Sequence, residues 1–268
     1  MIAVWYGVDP QDDRYLSISP YAYTANNPIL FKDPNGEEIW IYYQDADGNE
    51  QKMQYTSGMK YEGDNQFVGS VVSNLNKMAS TELGSQLLNP LISSENTFDF
   101  TNTFYEDQNG NDVKDVLRFD EYEGGGGRID AGALLAGMDA SQALGSTAHE
   151  LFHGYQTENG QGGGSIMNEV EAYMFEYSLQ NEYEFKSENF AFGSTIPLGR
   201  NNEAGKLWEQ SFNNLYTSDK FSTPDFVNAV KSFKAGSLKN GTGLYSNHSL
   251  QRANQKKSMI ARFYPLIR

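Results

Sequence analysis

Cysteine is absent from these 268 residues. That excludes disulfides and thiolate metal ligands, so any zinc has to be held by imidazole and carboxylate. Histidine is nearly as scarce, with three in the chain. Positive charge is short as well: 20 Lys and Arg against 35 Asp and Glu leave a formal net charge of -15. This balance argues against nucleic acid and anionic membrane surfaces as partners. No apolar run approaches the ~20 residues that cross a bilayer. The opening MIAVWYGVDPQDD has no basic start and no sustained apolar stretch, so no signal peptide is expected. Internal repeats are lacking, and no lysine follows the glycine runs at the spacing of a phosphate loop.

What is present is a globular composition, 38% hydrophobic and 13% aromatic, in a chain long enough for one large domain or two modest ones. Residues 38–55 alternate around Asp-Gly, which predicts a hairpin. The Asp45/Asp47 pair lacks the later ligands of a calcium loop, and DQNGND at Asp107–Asp112 reads likewise as a turn, here between strands TFDFTNTFY and DVLRFDEY. Apolar spacing at Phe67, Val71, Leu75 and Met78 predicts one helix over 65–88, closed by Pro90. RIDAGALLAG reads as a strand. Helices are expected near 140–156, 167–183, 202–217 and 223–235, the last opened by Thr223-Pro224. The fold class that follows is α+β: a small twisted sheet packed on helices, with a mostly helical C-terminal part.

The informative stretch is STAHELFHGYQTENG, Ser146–Gly160. His149, Glu150 and His153 form H-E-x-x-H. On a helix, residues four apart share a face, so both imidazoles can grip one ion while the glutamate sits beside the open position. The apolar stripe of this helix is Leu144, Ala148, Leu151, Phe152 and Tyr155. The histidines lie off that stripe, on a face with Gln142 and Ser146, so they read as ligands or as a solvated face rather than as core. A third ligand is available in the next helix, NEVEAYMFEYSL (Asn168–Leu179), from Glu169 or Glu171. By helical wheel Glu171 falls in the greasier sector, between Met174 and Phe175, which favours Glu169. His248 is not excluded as a ligand. His248 and Tyr245, in GLYSNHSL, are also candidate donors to the oxyanion of a tetrahedral intermediate. Arg200 is a candidate for binding a substrate carboxylate.

The pair H-E-x-x-H and N-E-x-x-[small] resembles the gluzincin-type metallopeptidases. The resemblance implies a zinc-dependent endopeptidase with Zn²⁺ on His149, His153 and Glu169, Glu150 as general base and acid, and a protein or peptide substrate. Ala172 would let the two helices approach. Tyr173 stands where thermolysin-like enzymes carry an aspartate that orients a histidine, so that partner must come from elsewhere, such as Glu176. Zincins also pair substrate with an edge strand, a role this reading gives to RIDAGALLAG.

Trp5–Glu38 is dense in turn signals. Its GVDP (Gly7–Pro10), SPYAY (Ser19–Tyr23), NNP (Asn26–Pro28) and DPNG (Asp33–Gly36) resemble the end of the core of RHS-repeat (YD-repeat) proteins. That resemblance implies a remnant of the core over 1–38 and a toxin domain over 39–268, carried in a larger bacterial toxin and secreted or delivered into a target cell. An RHS shell and an immunity protein are the partners implied. Two other functions stay open. One is a non-enzymatic RHS-associated interaction module; the other is a zinc hydrolase of a non-peptide or peptidoglycan amide bond. A closed four-ligand site would mark the first, and a close-fitting pocket the second.

Overall fold

The structure, a computed structural model, describes residues 39–107, 109–184, 203–218, 220–239, 245, 248–250 and 258–267. The RHS-like stretch 1–38 and Arg200 lie outside them.

The predicted hairpin is formed by β1 (Ile39–Gln44) and β2 (Glu50–Gln54), with Trp40 opposite Gln54. Its turn is held by the Asp45 carboxylate, which accepts the Asp47 and Asn49 amides at 3.0 and 2.9 Å. Gly48 supplies the left-handed residue at φ 82°.

One helix was expected over 65–88; two are found. In α1 (Gln66–Ala79) the spaced residues Phe67, Val71, Leu75 and Met78 are all buried. The Thr81 side chain then accepts the Gly84 amide and opens α2 (Glu82–Ile92). A local cap thus overrides an apolar period that runs through it. Pro90 lies inside α2 rather than closing it; it removes one i→i−4 hydrogen bond, and the helix stops two residues later.

Four short strands and one more follow: β3 (Phe98–Thr101), β4 (Tyr105–Glu106), β5 (Asp112–Val113), β6 (Arg118–Glu121) and β7 (Gly127–Asp130). The DQNGND turn joins β4 to β5 in a small separate ribbon. The main sheet is mixed, in the order β2-β1-β3-β7-β6. Its centre is parallel, and both edge strands run antiparallel. Period-two burial aligns Ile39, Ile41, Phe98, Phe100 and Ile129 on the covered face, each 0% exposed. Here the reading of RIDAGALLAG as the edge strand is corrected. β7 is four residues long and lies between β3 and β6, and residues 132–135 turn into a 3₁₀ helix. The edge is β6.

Asp139 caps α3 (Ala140–Glu158) by accepting the Gln142 amide. The apolar stripe of α3 is buried, as its spacing predicts, and the helix touches α1, α2 and β6. After a short glycine-rich loop, α4 (Ile166–Glu184) packs back on α3. Gly145 permits the approach: a Cβ there would stand 2.1 Å from Gln180 Nε2. Around α4, Val170, Glu171, Ala172, Met174, Phe175 and Tyr177 are each at most 2% exposed. It is covered on nearly every side. The helix pair α5 (Glu203–Thr217) and α6 (Thr223–Lys239) adds an aromatic layer of Trp208, Phe212 and Phe233. Segment 258–267 crosses behind α3, where Phe263 packs on Phe152, Tyr155 and Phe175. Among the described residues, no helix is long and apolar enough to cross a membrane.

Candidate metal centre

His149 and His153 sit one turn apart on α3, their ring centroids 4.9 Å apart. Both face Glu169, in the first turn of α4. His149 Nε2 is 3.6 Å from Glu169 Oε2, and His153 Nε2 is 3.7 Å from Oε1. Ligand atoms of these three residues all lie within 4.8 Å of one another. The histidine face is therefore neither core nor solvated. α4 covers it, leaving His149 7% exposed.

The far side of each ring is held too. His149 Nδ1 lies 3.1 Å from Glu176 Oε2, and His153 Nδ1 lies 2.9 Å from Gln156 Oε1. Both partners are oxygens that accept, so in the neutral rings the hydrogen sits on Nδ1 and the lone pair on Nε2. Two imidazole lone pairs and a carboxylate thus converge on one point. That donor set fits zinc in a chain without thiolates.

The electrostatics follow from burial of a charged cluster. For His149, burial works against the charged ring, but the Glu169 and Glu176 carboxylates and Glu150 lift its pKa to about 10. Burial pushes Glu150 up to about 8, only partly offset by His149. His153 is lowered, chiefly by burial. Burial would raise Glu169, yet His153, His149 and His248 hold it well below the usual carboxylate range.

Glu150 Oε2 accepts the Phe119 amide of β6 at 2.8 Å. The general-base candidate is thereby tied to the edge strand. His248 Nε2 reaches within 3.6 Å of Glu169 Oε1. Its segment is anchored by Lys234 Nζ, which donates to the Tyr245 and His248 carbonyls at 2.7 and 2.8 Å. Ser249 bridges to Ser165 just before α4. Tyr245 and Tyr173 share a hydroxyl hydrogen bond of 3.0 Å, and the Tyr173 ring stands edge-on to His149 at 4.5 Å. Burial raises both phenols far above their ordinary value. These groups open on a cleft of about 590 Å³ walled by residues 115–121 on one side and Gly162–Gly164 on another.

The structure separates the two rival glutamates. Glu169 stands among the histidines; Glu171 faces away from them, 0% exposed. Its Oε1 accepts from Ser258 Oγ and the Met259 amide, and its Oε2 from Gln156 Nε2. Sequence reasoning missed Gln156 and Asn168. The Asn168 amide group donates to the Gln161 and Gly163 carbonyls at 2.8 Å and so shapes the glycine-rich wall of the cleft. Gln156, three residues after His153, sits where an i+3 neighbour can reach the ring; that was the signal available.

The fold is α+β, and its paired-histidine, glutamate cluster stands at an open cleft and could hold a metal ion. Residues 55–184 match the family model Peptidase_M91, described as effector protein. The family is one of metallopeptidases, and the match supports a peptidase-type effector domain in this chain. No curated protein and no solved structure matches the chain.

Proposed function

We propose that residues 39–268 are a gluzincin-like zinc endopeptidase, the effector part of an RHS-type toxin delivered into a target cell. The observation that carries the chemistry is the convergence of His149 Nε2, His153 Nε2 and Glu169. His149, His153 and Glu169 would hold the ion. Zinc bound there supplies a Lewis acid that polarises a peptide carbonyl and acidifies water.

The chain's own residues do the rest. The Glu150 carboxylate takes one proton from the attacking water and returns it to the leaving amine nitrogen. Tyr245 and His248, lining the same cleft, donate to the oxyanion. The Tyr245 phenol stays protonated because burial raises it. β6, the edge strand that walls the cleft, takes an extended substrate by main-chain pairing. A cleft open along an edge strand favours a peptide over a compact amide. The RHS resemblance of residues 1–38 adds an RHS shell and an immunity protein as partners.

The test is metal content by elemental mass spectrometry, set beside cleavage of a mixed protein substrate pool. Wild type and Glu150→Gln should each carry near-stoichiometric zinc, and Glu169→Ala should carry none. Cleavage should vanish in both variants. Metal-free wild type after zinc is offered, or full activity in Glu150→Gln, would end this reading.

A further inference from the structure

His149 and His153 are supported differently. His149 leans on a carboxylate, Glu176. His153 leans on an amide, Gln156, whose orientation has to be set by something else, because an amide can present either its oxygen or its nitrogen. Gln156 is 0% exposed, and its Nε2 donates to the Asn168 carbonyl and to Glu171 Oε2, each at 3.1 Å. Two acceptors on the nitrogen side leave Oε1 facing His153 Nδ1.

Glu171 is in turn held from a distant part of the chain. Ser258 Oγ and the Met259 amide both donate to its Oε1. The same segment is fastened along the back of α3. Arg262 Nη1 donates to Tyr155 Oη at 3.1 Å and to Asn159 Oδ1 at 2.7 Å. Phe263 packs against Phe152 on the helix turn that also carries His153. A continuous line of donors and acceptors therefore runs from Ser258 and Met259 through Glu171 and Gln156 to the His153 ring.

We propose that segment 258–267 is a latch for the metal centre: its docking fixes the ring orientation of His153 through Glu171 and Gln156. Both are positioning residues, and neither touches the ion. The proposal rests on the zinc site above. Glu171 then acts on the ion only through Gln156 and His153. Its loss is felt as weaker zinc binding rather than an empty site.

The experiment uses the full chain with Gln156→Leu, Glu171→Gln, the double variant and Ser258→Ala. Two quantities are read: zinc affinity by competition with a chromogenic chelator, and the His153 ring-nitrogen shifts in the zinc-free chain. Gln156→Leu should weaken zinc about 10–100-fold. Glu171→Gln should weaken it about tenfold, Ser258→Ala less, and the double variant no more than Gln156→Leu alone, since both break one line. In the zinc-free chain, wild type should show His153 protonated on Nδ1, and the variants should mix in the Nε2 tautomer. Val68→Ala, a core truncation within α1, should lower the melting temperature and leave both readouts alone. Wild-type affinity and an unchanged tautomer in Glu171→Gln would overturn the latch. If wild type takes no zinc, the peptidase reading falls and the tautomer alone decides: an unaltered His153 overturns the latch, an altered one supports it.

Discussion

Zinc uptake at pH 7 should release about two protons from wild type and about one from Glu150→Gln. In the metal-free chain His149 is charged at that pH. Burial disfavours the charge, but the Glu169 and Glu176 carboxylates carry its pKa to about 10. Zinc needs a bare Nε2, so this proton leaves. Burial sets Glu150 at about 8, which makes it roughly nine-tenths protonated at pH 7. A divalent cation beside it favours the carboxylate, and a second proton leaves. His153 is lowered and Glu169 is held ionised, so neither adds a proton. Apparent affinity should therefore climb about 100-fold per pH unit near pH 7 and about tenfold per unit between 8 and 10. Stability of the metal-free chain runs the other way. Both folded pKa values are raised, so their contributions are complete below the unfolded values and fade as pH rises through 8 and then 10. The metal-free melting temperature should fall over that window. Titration calorimetry in two buffers of different ionisation enthalpy counts the protons. Equal counts in wild type and Glu150→Gln, or a count near zero, would refute the reasoning.

Three further outcomes are expected. Phe152→Ala empties a fully buried site between Phe175 and Phe263. It should cost about 3–5 kcal/mol and lower the melting temperature by roughly 6–20 °C in scanning calorimetry. Gly145→Ala puts a methyl 2.1 Å from Gln180 Nε2 and 2.9 Å from Glu176 Oε1. Both neighbours are ends of flexible side chains and a helical glycine is lost, a gain of about 1 kcal/mol, so the melting temperature should change little while zinc affinity falls as Glu176 is pushed from His149. On the open face of the sheet, burial raises Asp99, partly offset by the Tyr122 hydroxyl that donates to it at 2.8 Å. A raised carboxylate stabilises only below its unfolded pKa and loses that contribution as pH rises. Asp99→Asn should therefore melt higher than wild type at pH 7 and no higher at pH 3, by circular dichroism.

The parts legible in the sequence are those set by neighbours along the chain. H-E-x-x-H and the stripe of Leu144, Ala148, Leu151 and Phe152 are statements about one helix, and both sit on α3. The β1–β2 hairpin was announced by Asp-Gly. Glu169 and Glu171 were harder, because α4 is buried almost all round and has no polar side for a wheel to find. What tells them apart is contact: Ser258 lies 87 residues from Glu171. Strand order failed for the same reason. Nothing within RIDA states that β6 will pair outside it, and a short apolar strand reads alike at a centre or an edge. The division of α1 from α2 was within reach, since Thr81 is a good cap; the unbroken apolar period concealed it.

All three groups that converge at the centre come from a single hairpin of helices, α3 and α4, joined by one short loop. Contacts so close in sequence close small loops, lose little chain entropy and form early. The groups around them, His248 from one side and Ser258 from the other, close loops several times longer. The hairpin is thus equipped to assemble before its surroundings arrive. A folding chain would pass through a state with its donors gathered and its cleft still unfinished. On the peptidase reading proposed above, that order of events would delay activity until the cleft is complete.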